Sequence, residues 1–497
     1  MMRTISDYLP AEHVDHQLFI NGQFVDAADQ SQFDCISPAT GKRLCQVSSA
    51  NEHDVDRAVK AARDAFNSGA WRDANVSHRK KILLRLAQLV ESNAEKLAII
   101  ETWDTGKPIR DSRAVDMAGS VQMVRWFAES VDKLYDEIAP TDNPIVAQIR
   151  RTPLGVIAAV TPWNFPLLTA LTKIIPALAV GNSVVLKPSE LSPLSALYLA
   201  RLGAEAGLPD GVLNVVTGSG GQAGAALGLH PDVDALLFTG STATGKRFMQ
   251  YSGASNLKKI SLECGGKSAN IVLDDCPDID KAVQATANGI FFNAGQICNA
   301  GSRLILQRAI AEQFKLKLAA HLDNYKPGDP MDSATTLGSM ISSGHADKVR
   351  GHIREAEQQG ARIYAQARAW DGAGGFDATA WVPPTLIDQV NNSMRIAQEE
   401  VFGPVLAIME VDTVDEALQT ANDSQYGLAA AIWTSDMRTA HRAQQTLHAG
   451  FVWVNSVRAG HIATPFGGVK QSGFGRDKSL HAFDNVSYLK TTWYDYS

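Results

Sequence analysis

Apolar side chains recur along this chain with a helical period in its first part and in short continuous runs further on. Val55, Ala58, Val59, Ala62 and Phe66 fall at the spacing of one helix face. A second helix is predicted to start near Ser77, a candidate N-cap, and to stop before Gly106 and Pro108. Ahead of both, residues 18–25 hold Asn21-Gly22 between two apolar runs, the pattern of a type I′ hairpin.

From about residue 155 the pattern changes. Apolar runs at 156–160, 183–186, 212–216, 236–238, 270–273 and 304–306 are separated mostly by helical segments. Runs without alternation suit strands covered on both faces, so a series of parallel βαβ units is predicted. Ligands of such sheets bind at the carboxyl ends of the strands. Here those ends carry Trp163-Asn164, Lys187-Pro188-Ser189-Glu190 and Thr239-Gly240-Ser241. No tandem repeat of solenoid type is visible.

Composition narrows the classes. The 497 residues suggest two to four domains, and 45% apolar with 20% charged residues is ordinary for a globular chain. A net charge of −7 gives no footprint for nucleic acid. The polar stretch 1–16 lacks a signal-peptide core. The uncharged run 154–172 is interrupted by Pro162, Asn164 and Pro166, and reads as a strand, a turn and a helix start rather than a membrane span. Five cysteines without a CxxC pair argue against a disulfide framework and against a structural metal site. A soluble, cytoplasmic protein is expected, in which a thiol stays reduced.

The chemistry-bearing positions are open to two readings each. Gly240-Ser241-Thr242-Ala243-Thr244-Gly245-Lys246 ends a strand and opens a helix, so it offers N–H groups and partial positive charge to a pyrophosphate; Ser241 or Thr242 as a plain N-cap explains it as well. Lys187 and Glu190 suit ribose hydroxyls or a solvated ion pair. Gly218-Ser219-Gly220-Gly221-Gln222-Ala223 matches a dinucleotide fingerprint, but no acidic residue follows at a strand end about twenty positions on. Leu262-Glu263-Cys264-Gly265-Gly266-Lys267 sets a carboxylate beside a glycine pair, and Gly295-Gln296-Ile297-Cys298 sets a thiol after a glycine. Taken singly, Cys298 is better read as a small buried hydrophobe and Glu263 as a structural carboxylate.

In combination they carry a resemblance. Trp163-Asn164-Phe165-Pro166, Lys187-Pro188-Ser189-Glu190, Phe238-Thr239-Gly240-Ser241, the Glu263 and Cys298 motifs, Glu399-Glu400-Val401-Phe402-Gly403-Pro404 and Pro465-Phe466-Gly467-Gly468 stand in the order found in the aldehyde dehydrogenase superfamily. The likeness runs from about Phe19 to Trp493. Asp104-Thr105-Gly106-Lys107-Pro108 and Gly475-Arg476-Asp477-Lys478-Ser479-Leu480-His481-Ala482 further resemble bacterial enzymes acting on γ-glutamylaminobutyraldehyde and guanidinobutyraldehyde.

The resemblance implies an α/β fold. It consists of a Rossmann-like NAD-binding unit (1–130 and 152–264), a catalytic unit (265–478) and a small β oligomerisation element (131–151 and 479–497). It implies Cys298 as nucleophile, Glu263 as general base, and an oxyanion held by the Asn164 amide and the Cys298 N–H. Trp163, Lys187, Glu190, Gly240, Ser241, Gly245, Glu400 and Phe402 are the expected cofactor residues. NAD is expected over NADP, because a carboxylate at Glu190 repels a 2′-phosphate. Lys173, backbone amides and the nicotinamide charge are candidates for lowering the Cys298 pKa. A homodimer or homotetramer is expected, with no metal, nucleic acid or membrane partner.

Phe165, Thr172, Arg458, His461 and Phe466 are expected to line the substrate path. Relatives handling cationic aminoaldehydes tend to carry acidic residues where Arg458 and His461 stand, and a tryptophan at Thr172. The expected substrate is therefore neutral or anionic away from its aldehyde. Many relatives have Glu in place of Asp477, which puts a proton-relay role for the shorter side chain in question. The alternatives are an NADP-preferring semialdehyde dehydrogenase, a cysteine hydrolase with no redox step and a non-catalytic homologue.

Overall fold

The computed structural model describes residues 14–497, so the N-terminal stretch read as polar lies largely outside the described residues. The Asn21-Gly22 hairpin forms, with φ of 52° and 79° at the two turn residues joining Leu18–Ile20 to Gln23–Val25. The first predicted helix spans Glu52–Ser68 and buries Val55, Ala58, Val59 and Ala62. The second prediction was one helix too few. Val76–Ser92 and Ala94–Thr105 are separate helices broken at Asn93, and the first follows Asn75 with no side-chain cap. The periodicity continues through the break because both helices bury their apolar faces in the same core. Gly106, at φ 75°, ends the second helix where the sequence pattern stops.

Every predicted strand forms, but the series divides between two sheets, and a further strand, Lys259–Cys264, stands between them in sequence. The first sheet has eight strands. Its parallel core runs, in spatial order, Leu213–Val215, Ser183–Lys187, Val156–Val160, Ala235–Gly240 and Lys259–Cys264. Numbered along the chain, that order is 3-2-1-4-5. The direction of winding reverses between Val156–Val160 and Ala235–Gly240, and an open sheet leaves a crevice at the carboxyl ends of two such strands.

After Cys264 the chain leaves this sheet through Gly265-Gly266-Lys267-Ser268 and enters a seven-stranded one. There Ala269–Val272 lies between Arg303–Gln307 and Ala429–Trp433, all parallel. The late strand Gly473–Phe474 returns to pair antiparallel with Lys259–Cys264. The two sheets are thus stitched together around the crossing segment. A third sheet pairs Ser487–Asp495 with Ile145–Pro153 along nine residues of register, and Glu137–Ala139 adds an edge.

Candidate active site

A cleft of about 360 Å3 opens at the winding reversal. Trp163, Asn164 and Phe165 reach it from the end of the first core strand, and Thr239, Gly240 and Ser241 from the fourth. Glu263 and Gly265 come from the fifth strand and its exit. Cys298, Glu400 and Phe402 enter from the seven-stranded side.

The thiol is presented by an unusual backbone. Asn293, Ala294 and Gly295 take φ of 49°, 51° and 73° in succession, ending the helix Ile279–Phe291 and turning the chain back into the cleft. The turn is tied to Asn164: its Nδ2 donates to the Gln296 carbonyl at 3.0 Å, and Asn293 Nδ2 donates to the Asn164 carbonyl at 3.2 Å. An amide nitrogen carries two hydrogens, so one Asn164 N–H is left for another acceptor in the cleft.

Glu263 is buried, and neither of its carboxylate oxygens has a hydrogen-bond partner among the described residues. Burial, reinforced by Asp477, holds its pKa well above the carboxylate range, against the pull of Lys173. The close approach of this carboxyl explains Gly467, where a Cβ would stand 2.5 Å from Glu263 Oε1. A Cβ on Gly265 would stand 2.0 Å from a Glu400 oxygen. Glu400 accepts from the Gly266 N–H at 3.2 Å, and burial pushes its pKa up to about 7. The Cys298 thiol is pushed up to about 12, first by burial and then by Glu400 and Glu263; backbone N–H groups at 298 and 299 act the other way. Lys173, one of the candidates for lowering the Cys298 pKa, is engaged in a buried ion pair with Asp477.

The expected cofactor positions separate into two groups. Phe402, at φ 53°, sets its ring edge-on to Trp163 at 5.2 Å, and its carbonyl lies 2.9 Å from His345 Nε2. Ser241 lines the cleft and also caps the helix Thr242–Ala254 by accepting from the Thr244 N–H. Lys187 is buried at the end of the neighbouring strand and donates to the Pro188 carbonyl at 2.8 Å, with Glu190 at 3.7 Å. Gly245 stands outside the cleft lining, buried against the sheet, where a Cβ would stand 3.0 Å from Cys264 Sγ.

The expected substrate positions also divide. Phe165 lines the cleft and stacks on Phe292 at 6.5 Å. The Arg458 guanidinium covers the other ring at 4.2 Å from the Phe292 centroid and donates to the Asn288 carbonyl. Arg458 is half-buried and stands outside the cleft lining, one aromatic ring removed from it. Thr172 is buried in its own helix and returns its hydroxyl to the Leu168 carbonyl at 2.8 Å, away from the cleft lining. His461 also stands outside the cleft lining. Its ring accepts from the Ala463 N–H in a tight turn and faces a separate surface groove beside Arg113 and Arg125. Phe466 pairs through its backbone with Asp477 and carries Lys478 over its ring at 5.4 Å.

His345 and Lys348 line the cleft although no sequence motif marks them; they come from the helix Ser343–Gln358, far from the other cleft residues in sequence. Among the described residues no cluster could hold a metal ion, and no helix is long and apolar enough to cross a membrane.

Comparison with known proteins agrees with this fold. The aldehyde dehydrogenase family matches residues 24–492. The NADP/NAD-dependent aldehyde dehydrogenase PuuC of Escherichia coli (strain K12) is 50% identical over 480 residues, covering 97% of this chain and 96% of that protein. The solved indole-3-acetaldehyde dehydrogenase AldA of P. syringae, a mutant in complex with NAD+ and IAA, superposes with a TM-score of 0.95 at 47% identity, covering 99% of this chain and 100% of that one. The γ-glutamyl-γ-aminobutyraldehyde dehydrogenase of Burkholderia cenocepacia J2315 does so with a TM-score of 0.94 at 48% identity, covering 99% of both chains.

Proposed function

The chain belongs to the aldehyde dehydrogenase family, and on that premise we propose that it oxidises an aldehyde to the carboxylic acid with NAD, through a thioester on Cys298. The observation that carries the reading is the meeting of Cys298, Asn164 and an unpartnered Glu263 in one cleft at the winding reversal. The Cys298 thiolate adds to the carbonyl carbon. The resulting oxyanion takes the free Asn164 N–H and the Cys298 backbone N–H. Bound NAD supplies the acceptor for the hydride that leaves this thiohemiacetal. Water then releases the acid from the thioester as Glu263 removes its proton.

The residues present fit such a cofactor. The 360 Å3 cleft ends on the start of the 13-residue helix Thr242–Ala254, beside the Thr239 hydroxyl, which has no partner among the described residues. Gly240, Ser241 and Trp163 would hold the pyrophosphate side, Lys187 and Glu190 the adenosine ribose, and Glu400 and Phe402 the nicotinamide half. The Glu190 carboxylate favours NAD over NADP by repelling a 2′-phosphate. The three sheets support a cofactor unit at 1–130 and 152–264, a catalytic unit at 265–478 and an oligomerisation element at 131–151 and 479–497. A reducing compartment such as the cytoplasm suits a reaction that needs Cys298 as a thiol. Relatives named for γ-glutamyl-γ-aminobutyraldehyde, indole-3-acetaldehyde and aminoacetaldehyde differ in their aldehyde, so the substrate has to be read from this chain's own wall. Arg458, behind Phe292 and Phe165, favours a neutral or anionic aldehyde.

The test is NADH formation across a panel of aldehydes, repeated with NADP. Cys298→Ala should abolish turnover while NAD still binds; NADH formation by that variant overturns the reading. Acid release without NAD would instead favour a cysteine hydrolase.

A further inference from the structure

The segment Asp104-Thr105-Gly106-Lys107-Pro108 lines no part of the cleft, yet it touches the turn that carries Asn164. Lys107 is fully buried, and its ammonium donates to both carboxylate oxygens of Asp116 at 2.8 Å each. An ammonium has three N–H groups, and the one left over has the Phe165 ring, whose centroid lies 4.1 Å from Nζ. Asp116 is delivered by the π-helix Ser112–Met117, a geometry that is rare and gathers at functional sites.

Glu101 reaches the same turn from the other side of Gly106. Its Oε1 accepts from the Leu167 N–H at 2.7 Å and from the Ser195 hydroxyl at 3.0 Å. That N–H is the first one the helix Pro166–Val180 has to offer, because Pro166 has none. Phe165, at the N-cap, gives the helix no side-chain cap of its own. A buried carboxyl from a distant helix therefore closes the helix start that follows Asn164-Phe165.

Those two residues meet two other neighbours, Phe292 and Asn293. The Phe165 ring stacks on Phe292 with 17° between their planes, and the Asn164 carbonyl accepts from Asn293 Nδ2 at 3.2 Å. One peptide bond joins Asn164 to Phe165, so a shift of the ring moves the amide that faces the thiol. We infer that Lys107 and Glu101 are positioning residues for the oxyanion donor. Lys107 clamps the turn through the Phe165 ring and Glu101 through the helix start behind it, which holds the free Asn164 N–H in place. The inference rests on Cys298 being the nucleophile and Asn164 its oxyanion donor. A donor fixed beforehand needs no rearrangement as charge develops, whereas one free to swing slows the step that forms NADH.

The experiment measures the NADH burst rate from hexanal and from phenylacetaldehyde, beside the Kd for NAD, the urea midpoint and the rate of Cys298 alkylation by iodoacetamide. Lys107→Met alone leaves Asp116 buried without a partner, so the double variant Lys107→Met/Asp116→Leu is the main probe; it fills the site with apolar side chains and should keep the fold. Its burst rate should fall about tenfold, with the Kd for NAD and the KM for the aldehyde little changed, because the lost interaction acts in the transition state. Alkylation forms no oxyanion and should keep the wild-type rate, which a general disturbance of the thiol turn would not allow. Lys107→Arg should retain more of the burst rate than the double variant, and Glu101→Gln, which keeps an acceptor for Leu167, more than Glu101→Leu. A wild-type burst rate in the double variant and in Glu101→Leu overturns the inference, and so does alkylation that slows in step with the burst. In either case NADH formation by the wild-type enzyme leaves the thioester reading standing. No NADH from the wild type with either aldehyde overturns both.

Discussion

The ammonium of Lys173 lies 2.9 and 2.8 Å from the two carboxylate oxygens of Asp477, and both side chains are buried. Removing one member of such a pair leaves an uncompensated charge. Asp477→Leu should therefore destabilise the fold by about 3–5 kcal/mol, whereas the double variant Lys173→Met/Asp477→Leu should regain much of it. Urea unfolding of the single and double variants measures this; equal losses in both would show that the pair is not the source.

Burial raises the proton affinity of Glu263 first, and the same pair adjusts it, Asp477 raising it and Lys173 lowering it. In Asp477→Asn the Lys173 charge is unopposed and the Glu263 pKa falls. Activity that needs ionised Glu263 rises with pH, so the acid limb of the kcat profile should move to lower pH. Glu263→Gln, in turn, should form NADH in a burst of about one equivalent per site and then stall, because thioester formation needs no base at that position and hydrolysis does. Stopped-flow absorbance resolves the two phases.

Burial holds the Cys298 thiol at about 12 in the cofactor-free protein. Only the thiolate is alkylated, so the rate of iodoacetamide modification at Cys298 should be slow at pH 7 and climb about tenfold per pH unit over 7–9. Peptide mapping separates it from the four other cysteines. A rate independent of pH in that range would show that the thiol is already ionised.

Glu101 is fully buried, and burial, with Asp116, raises its pKa from 4.5 to about 8. The folded chain keeps this proton over a range in which the unfolded chain has lost it. The associated stability is complete below about pH 4.5 and is lost as pH rises through about 8. Glu101→Gln should accordingly gain stability relative to wild type between pH 5 and pH 8, read as urea midpoints; a constant difference would place the titration elsewhere.

The strand Ser487–Asp495 leaves Leu489 and Trp493 more than half exposed, at 58% and 60%. Aromatic and aliphatic surface of this kind on a paired strand suits burial against a second copy. Leu489→Asp with Trp493→Asp should lower the mass seen by light scattering to that of a smaller assembly; a wild-type monomer at micromolar concentration would remove the premise.

The strands of the parallel core, the first helix and the hairpin at Asn21-Gly22 were legible because each is set by local physics: apolar runs, helical period and turn chemistry. The motifs at Trp163, Ser241, Glu263, Cys298 and Glu400 were equally legible, since each sits where the chain leaves a strand or turns. The break at Asn93 was not, because two helices sharing one core keep one periodicity. Gly245 and His461 look like site residues in sequence, yet one faces the sheet and the other closes its own turn; which way a side chain points is decided by the element that carries it.

What the sequence by itself determined is the set of chemical groups and the α/β series that delivers them to strand ends. Only the tertiary structure decided which groups meet. The winding reversal, the crossing at Gly265–Ser268 and the return of Gly473–Phe474 bring residues more than 200 positions apart into one cleft. Burial there resets their proton affinities. The commitment of Lys173 to Asp477 and the unpartnered Glu263 are long-range relationships, and a local pattern carries no record of them.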